Sequence, residues 1–337
     1  MLNSLESSLQ KPILRTQPMP MVETTLGKMP VEQLGWINAH DHIIMDGGYT
    51  VVKTPDFKLD SVEKAIEELS HWKKLNGGAI VDAQPFGCGR NVLKLMQVSQ
   101  ATGLPIIVAT GFQSREFYLP DHWQYKYDEE TIAELLLAEL VEGTDANGYE
   151  SPIVQRTAVK AGFIKVASDY QLVSPHTRKH IRAIGRIFKQ IQVPILVHTE
   201  MATATDDLLD CFDEAGIPLN FVMLCHTDRN PDLYLHRRLA RRGAFLQYDS
   251  PSRIKYQPEN LVVALMRSMF DAGLGEHILL GGDMARRSYW KAYGGGPGFD
   301  YLLAKFTPRL RDEGFTDAEL ETIWHHNPAR WLTSGQQ

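Results

Sequence analysis

Six side chains in this 337-residue sequence are of kinds that can organise divalent metal ions, and each stands inside or at the end of a short apolar run. His40-Asp41-His42 closes the first such run, and Lys165 lies within Ile164-Lys165-Val166. His198, His226 and Asp283 end three more. Imidazole and carboxylate suit zinc and similar ions. In a strand, residues two apart share a side, so His40 and His42 aim together while Asp41 points away. A buried, unpaired ammonium costs several kcal/mol, so Lys165 must be neutralised, paired or chemically altered. A lone histidine is usually a surface or satisfied core group, and His71, His122, His176, His180, His236, His277 and His325 are read that way. His326, before Asn327-Pro328, is read as capping or packing the last helix. The coincidence on five separate runs favours metal binding for the rest.

Short apolar segments alternate with helical patterns along most of the chain. The expected strands are Gly35–His42, Ala79–Gln84, Pro105–Thr110, Gly162–Ala167, Pro194–Thr199, Asn220–His226, Ala244–Tyr248 and Ile278–Asp283. Between them, helices are expected over Val62–Leu75, Asn91–Thr102, Glu129–Glu142, Thr177–Ile191, Asp206–Ala215, Pro231–Arg242 and Glu259–Ala272. This α/β order predicts a (β/α)8 TIM barrel, whose strand ends share one face, where barrel active sites lie. Residues 1–22, with Pro18 and Pro20, read as an N-terminal extension and residues 23–337 as the barrel. The aromatic-rich stretch from Gln113 to Glu129 is expected to form a loop over the mouth. An open doubly wound sheet is the alternative, but no G-x-G-x-x-G follows the first strand.

Composition narrows the function classes. Hydrophobic residues at 43% and charged residues at 23% exclude a disordered chain. With 35 basic against 41 acidic side chains and a net charge of −6, nucleic acid is not the expected partner. Cys88, Cys211 and Cys225 form no C-x-x-C pair and read as reduced thiols. The first residues carry Glu6, Lys11 and Arg15 without the apolar run of a secretory signal, and no stretch approaches the ~20 apolar residues of a membrane span. A soluble, cytoplasmic protein without a membrane partner is expected.

The ordered motifs resemble the phosphotriesterase-like family of the metal-dependent amidohydrolase superfamily. They are His40-Asp41-His42-Ile43, Val81-Asp82, Gly89-Arg90, Ala109-Thr110-Gly111, Ala161 to Ala167, His198-Thr199, His226, Asp283 and Asn327-Pro328-Ala329-Arg330-Trp331-Leu332. Many members carry glutamate where this chain has Asp41. The resemblance implies a two-metal site: His40, His42 and Asp283 on the more buried ion, His198 and His226 on the more exposed one, and Lys165 bridging them as N6-carboxylysine. Carbon dioxide adds to the neutral amine to give an anion that the two cations stabilise, which answers the burial problem. The ions, expected to be zinc and ~3.5–4 Å apart, would share a hydroxide able to attack at neutral pH. Asp283 would be the catalytic proton acceptor and donor. A homodimer is common in the family.

Substrate must be argued from loops. Those after the seventh and eighth strands, Asp249 to Tyr256 and Asp283 to Trp290, gather four cations in an acidic protein, at the usual phosphate position of such barrels. Arg253 and Arg287 are expected to be solvated or paired with carboxylates. Lys255, Arg286 and Tyr289 resemble the phosphate grip of the family branch that hydrolyses phosphorylated sugar lactones. Arg229 either contacts substrate or fixes its loop by pairing with an acid. Gly294 to Gly298 is expected to be a lid or turn, and Phe112, Phe117, Tyr118 and Trp123 packing anchors. The implied function is a binuclear metal-dependent lactonase attacking a furanose 1,4-lactone 5-phosphate, a small-molecule substrate. The alternatives are an esterase or lactonase for unphosphorylated substrates with phosphotriesterase side activity, and a non-catalytic sugar-phosphate-binding barrel.

Overall fold

The computed structural model describes residues 19–336, so most of the 1–22 extension lies outside the described residues. Its last part enters strand β1 (Met21–Thr24), which pairs antiparallel with β2 (Gly27–Pro30).

Eight parallel strands follow: β3 (Trp36–Asp41), β4 (Gly77–Asp82), β5 (Ile106–Gly111), β6 (Phe163–Ala167), β7 (Ile195–His198), β8 (Val222–Leu224), β9 (Phe245–Tyr248) and β10 (Ile278–Leu280). They are ordered consecutively from β3 to β10. The ring closes where Gly282 N and Asp283 N both donate to His40 O, at 2.9 and 3.0 Å. This is the expected (β/α)8 barrel. Two strands stop well short of their expected ends. β8 stops before His226 and β10 before Asp283, because the backbone turns left-handed at both residues, with φ of 63° and 45°.

The crossover helices are α1 (Gly48–Lys53), α2 (Val62–Lys74), α3 (Val92–Thr102), α4 (Glu129–Val141), α5 (Pro175–Phe188), α6 (Thr205–Glu214), α7 (Leu233–Arg241) and α8 (Glu259–Asp271). Side-chain caps fix several starts: Ser61, Asn91, Asp128, Ser174 and Asp232 each accept from a backbone N–H of the first turn. α5 begins two residues earlier than expected, since Ser174 caps it and Pro175 occupies its first turn.

Strand alternation divides the core. Outward residues such as Ile80, Val108, Ile164, Val197 and Leu224 pack beneath the helices. Inward residues including Val81, Ile107, Phe163, Leu196, Met223 and Leu279 fill the barrel, joined from below by Val22, Val31 and Trp331. The hairpin and the C-terminal helix therefore plug the N-terminal end, leaving the opposite end for chemistry.

Candidate active site

Strand geometry places the lysine first. Lys165 follows the inward-packed Phe163 by two residues on β6 and so shares its face. It is fully buried, its Nζ has no hydrogen-bond partner among the described residues, and burial lowers its pKa. Gly111 on β5 permits the close pairing, since a Cβ there would meet Lys165 O at 2.1 Å and φ is 105°.

Each of the four histidines is tied through one ring nitrogen and presents the other inward. His42 Nδ1 lies 2.7 Å from Gln84 Oε1, and His40 Nδ1 lies 3.2 Å from the Gln247 amide. His226 Nδ1 lies 2.6 Å from Asp249 Oδ2, and His198 Nε2 lies 3.4 Å from Glu200 Oε2. The opposite nitrogens converge. His226 Nε2 and His198 Nδ1 are 2.9 Å apart, while His40 Nε2 and His42 Nε2 stand 3.8 and 3.6 Å from Asp283 Oδ1. An outer contact that fixes the tautomer and aims the second nitrogen is what metal-ligating histidines require. Burial holds His40 well below the ordinary imidazole value. Burial with Lys165 nearby takes His42 to about 3, and burial with Arg229 nearby takes His226 to about 4. Neutral rings are the ligating form.

Asp283 is held as an anion. Burial works to raise its pKa, but Arg253, His226, His40 and Arg229 outweigh that and keep it well below the carboxylate range. Arg253 Nη1 and Arg229 Nη2 donate to Oδ2 at 2.7 and 2.8 Å, which leaves Oδ1 toward His40 and His42.

These residues fit a metal centre. His40, His42 and Asp283 each offer a ligand atom within 4.8 Å of the others, and the buried, unpartnered atoms Lys165 Nζ and His40 Nε2 lie within the same cluster. A second group with the same spacing joins His40, His226 and Asp249. There the 2.6 Å contact between Asp249 and His226 Nδ1 is already a hydrogen bond, so Asp249 acts as a support. Asp41, turned away as expected, accepts from His42 N, Met284 N and Asn38 Nδ2 and pins the end of β3 to the loop after β10.

The cavity above this cluster has a volume of about 210 Å³, and Lys255, Arg286, Tyr289 and Arg229 all line it. Lys255 Nζ sits 4.6 Å from the Tyr256 ring and 5.9 Å from that of Tyr289. Arg286 stacks on Phe57 at 4.2 Å with Nη1 3.5 Å from Asp56. Arg229 is different: it bridges Asp249 Oδ1 at 2.9 Å and Asp283, and stacks on Tyr256 at 4.1 Å, so pairing with acids is the role its geometry supplies. Arg253 pairs with Asp283 and Arg287 with Asp60. Phe112 stacks on His180 and Trp123 on Phe86 as packing anchors, whereas Phe117 lines the cavity. Gly294 to Gly298 is a hydrogen-bonded turn, with Gly295, Gly296 and Gly298 donating to Trp290, Ser288 and Tyr289 carbonyls.

Sequence reasoning passed over Gln84, Glu200, Gln247 and Asp249 as site residues. Asp249 carried the available signal, since it follows Tyr248 at a strand end as the ligands do; the other three are recognisable only once the ring is closed.

Residues 20–332 match the model of the Phosphotriesterase family. The chain is 32% identical over 319 residues to a phospho-furanose lactonase of Mycoplasmopsis synoviae, covering 92% of this chain and 90% of that protein. Among solved structures, it superposes on an amidohydrolase from Mycoplasma synoviae with a TM-score of 0.89 and 32% identity, covering 93% and 92% of the two chains. A lactonase from Listeria monocytogenes gives a TM-score of 0.86 at 29% identity, covering 94% of this chain and all of that one.

Proposed function

The chain belongs to the phosphotriesterase family of metal-dependent hydrolases acting on ester bonds, and on that premise we propose that it is a lactonase whose substrate is a furanose 1,4-lactone bearing a 5-phosphate. The observation that carries this reading is a single cavity lined by both the imidazole–carboxylate cluster and the trio Lys255, Arg286 and Tyr289. Similarity to a phospho-furanose lactonase supports the same substrate class.

His40, His42 and Asp283 would hold one divalent ion and His198 and His226 a second, with Lys165 between them as N6-carboxylysine; zinc is the expected metal. Bound there, the ions would supply Lewis acidity and lower the pKa of water. The chain's own groups do the rest. Lys255 and Arg286 offer charge, and Tyr289 a hydroxyl, to a phosphate monoester. Asp283 enters the reaction ionised. With Oδ2 committed to Arg229 and Arg253, Oδ1 is the oxygen left to take the proton of the attacking water and return it to the ring oxygen. The water oxygen bonds to the carbonyl carbon, the ring C–O bond breaks, and the phosphorylated aldonate results.

The test is a panel of 1,4-lactones with and without a 5-phosphate. The phosphorylated members should be preferred by about 30-fold or more. Preference for plain lactones or esters would instead support the unphosphorylated-substrate alternative, which the cationic lining disfavours. Fewer than one divalent ion per purified chain would support a barrel that binds without turnover.

A further inference from the structure

One long contact to His198 accounts for only part of the accepting capacity of Glu200, and a phosphate grip for none of it. Glu200 follows the end of β7 after one intervening residue, Thr199, and lines the same cavity as Lys255 and Arg286. Its Oε2 is 3.4 Å from His198 Nε2, a long contact by hydrogen-bond standards, and its side chain stays 40% exposed. Most of its accepting capacity is therefore unspent. The backbone that carries it is held against its own preference: Met201, Ala202 and Ala204 have φ of 55°, 51° and 53°. Such left-handed runs of non-glycine residues persist where surroundings over-determine them, commonly at ligand sites. Here Thr203 supplies a clasp, donating to Glu200 O at 2.6 Å and accepting from Gln171 N at 2.8 Å.

The loops after β7 and β10 are three strands apart around the ring. Glu200 thus enters the mouth from a different part of the rim than Arg286, in a cavity that Glu116 also lines. A carboxylate accepts hydrogen bonds and cannot donate them, so it suits hydroxyl groups and repels a phosphate. Resting on the lactonase reading above, we propose that Glu200 is a specificity-determining residue that accepts hydrogen bonds from the ring hydroxyl groups of the lactone. It thereby selects polyhydroxylated substrates and turns their phosphate toward Lys255 and Arg286. A site built to hydrogen-bond a substrate hydroxyl discriminates against an analogue that lacks it.

The metal-loaded full chain and its Glu200→Ala and Glu200→Gln variants are assayed on a phosphorylated aldono-1,4-lactone and on the analogue lacking both ring hydroxyls. Glu200→Ala should lower kcat/KM for the hydroxylated substrate by about 10- to 100-fold more than for the analogue, the usual effect of losing a hydrogen bond to a charged group, since any loss transmitted through His198 falls on both substrates alike. Calorimetric binding of the corresponding aldonate products should show the same split. Equal losses on both substrates would mean that Glu200 acts only through His198, and would overturn the assignment. If the wild-type chain turns over only unphosphorylated lactones, the phosphate reading fails. The same comparison with an unphosphorylated aldonolactone and its deoxy analogue then decides the role of Glu200.

Discussion

Arg253 donates through Nη1 to Asp283 Oδ2 at 2.7 Å, and its other terminal nitrogen reaches the carbonyls of Gly282 and Asp283. One buried guanidinium thus fixes the charge state, the side chain and the left-handed backbone of Asp283 together. The loop after β9 sets the aim of a residue after β10, and a substitution in either loop acts on both.

Replacing Lys165 by alanine should leave the inward nitrogens of His198 and His226 without the anion proposed between the two ions. Metal analysis of the purified variant should show occupancy falling from two ions per chain to fewer than one. Turnover should drop by more than the roughly 10- to 100-fold typical of losing an outer-shell partner. Full occupancy with normal turnover would defeat the bridging role.

Asp249 holds His226 by both its backbone N and ring Nδ1 and anchors Arg229. Asp249→Asn removes the anion while keeping the shape. Metal affinity, measured by competition with a chelator, should weaken by about 10- to 100-fold; an unchanged affinity would show that Asp249 is not the support described above.

Arg286→Ala should cost about 1–2 kcal/mol in kcat/KM for a phosphorylated lactone, roughly a 5- to 30-fold loss. This lies below the 2–5 kcal/mol or so for one partner of a fully desolvated pair, because the Arg286 side chain is a third exposed and shared with Asp56. A plain lactone should show little change. Equal losses on both would remove Arg286 from the phosphate grip.

Acid should destabilise the metal-free chain through its buried histidines. His42 and His226 are lowered to about 3 and about 4 by burial, whereas an unfolded histidine titrates near 6.5. Between those values the unfolded state binds more protons, so stability is fully present above about pH 6.5 and is lost as pH falls through the folded values. The urea midpoint of the metal-free protein should decline steadily from about pH 6.5 to 4; a level midpoint would contradict neutral, desolvated rings.

The barrel was legible because most of its strands are unbroken apolar runs bounded by turn residues, and the ligand set was legible because Lys165 interrupts one of them. Other features leave no local trace. The hairpin Met21–Pro30 consists of two four-residue strands without the Asn-Gly or Asp-Gly signal of a tight turn. His226 and Asp283 lie beyond their strands in left-handed backbone, so face alternation could not have aimed them. Gln84 and Gln247 become partners of histidines only when distant segments meet, and amides look alike in a sequence wherever they stand.

The carbonyl of His40 receives the two backbone N–H groups that join the first and last staves of the cylinder, and the same residue turns its ring toward the proposed cation. Cofactor uptake and the mechanical integrity of the fold are therefore linked at one seam. Stripping the ions should loosen the joint between Trp36–Asp41 and Ile278–Asp283 before the far wall, so that amide exchange there reports the loading state of the protein.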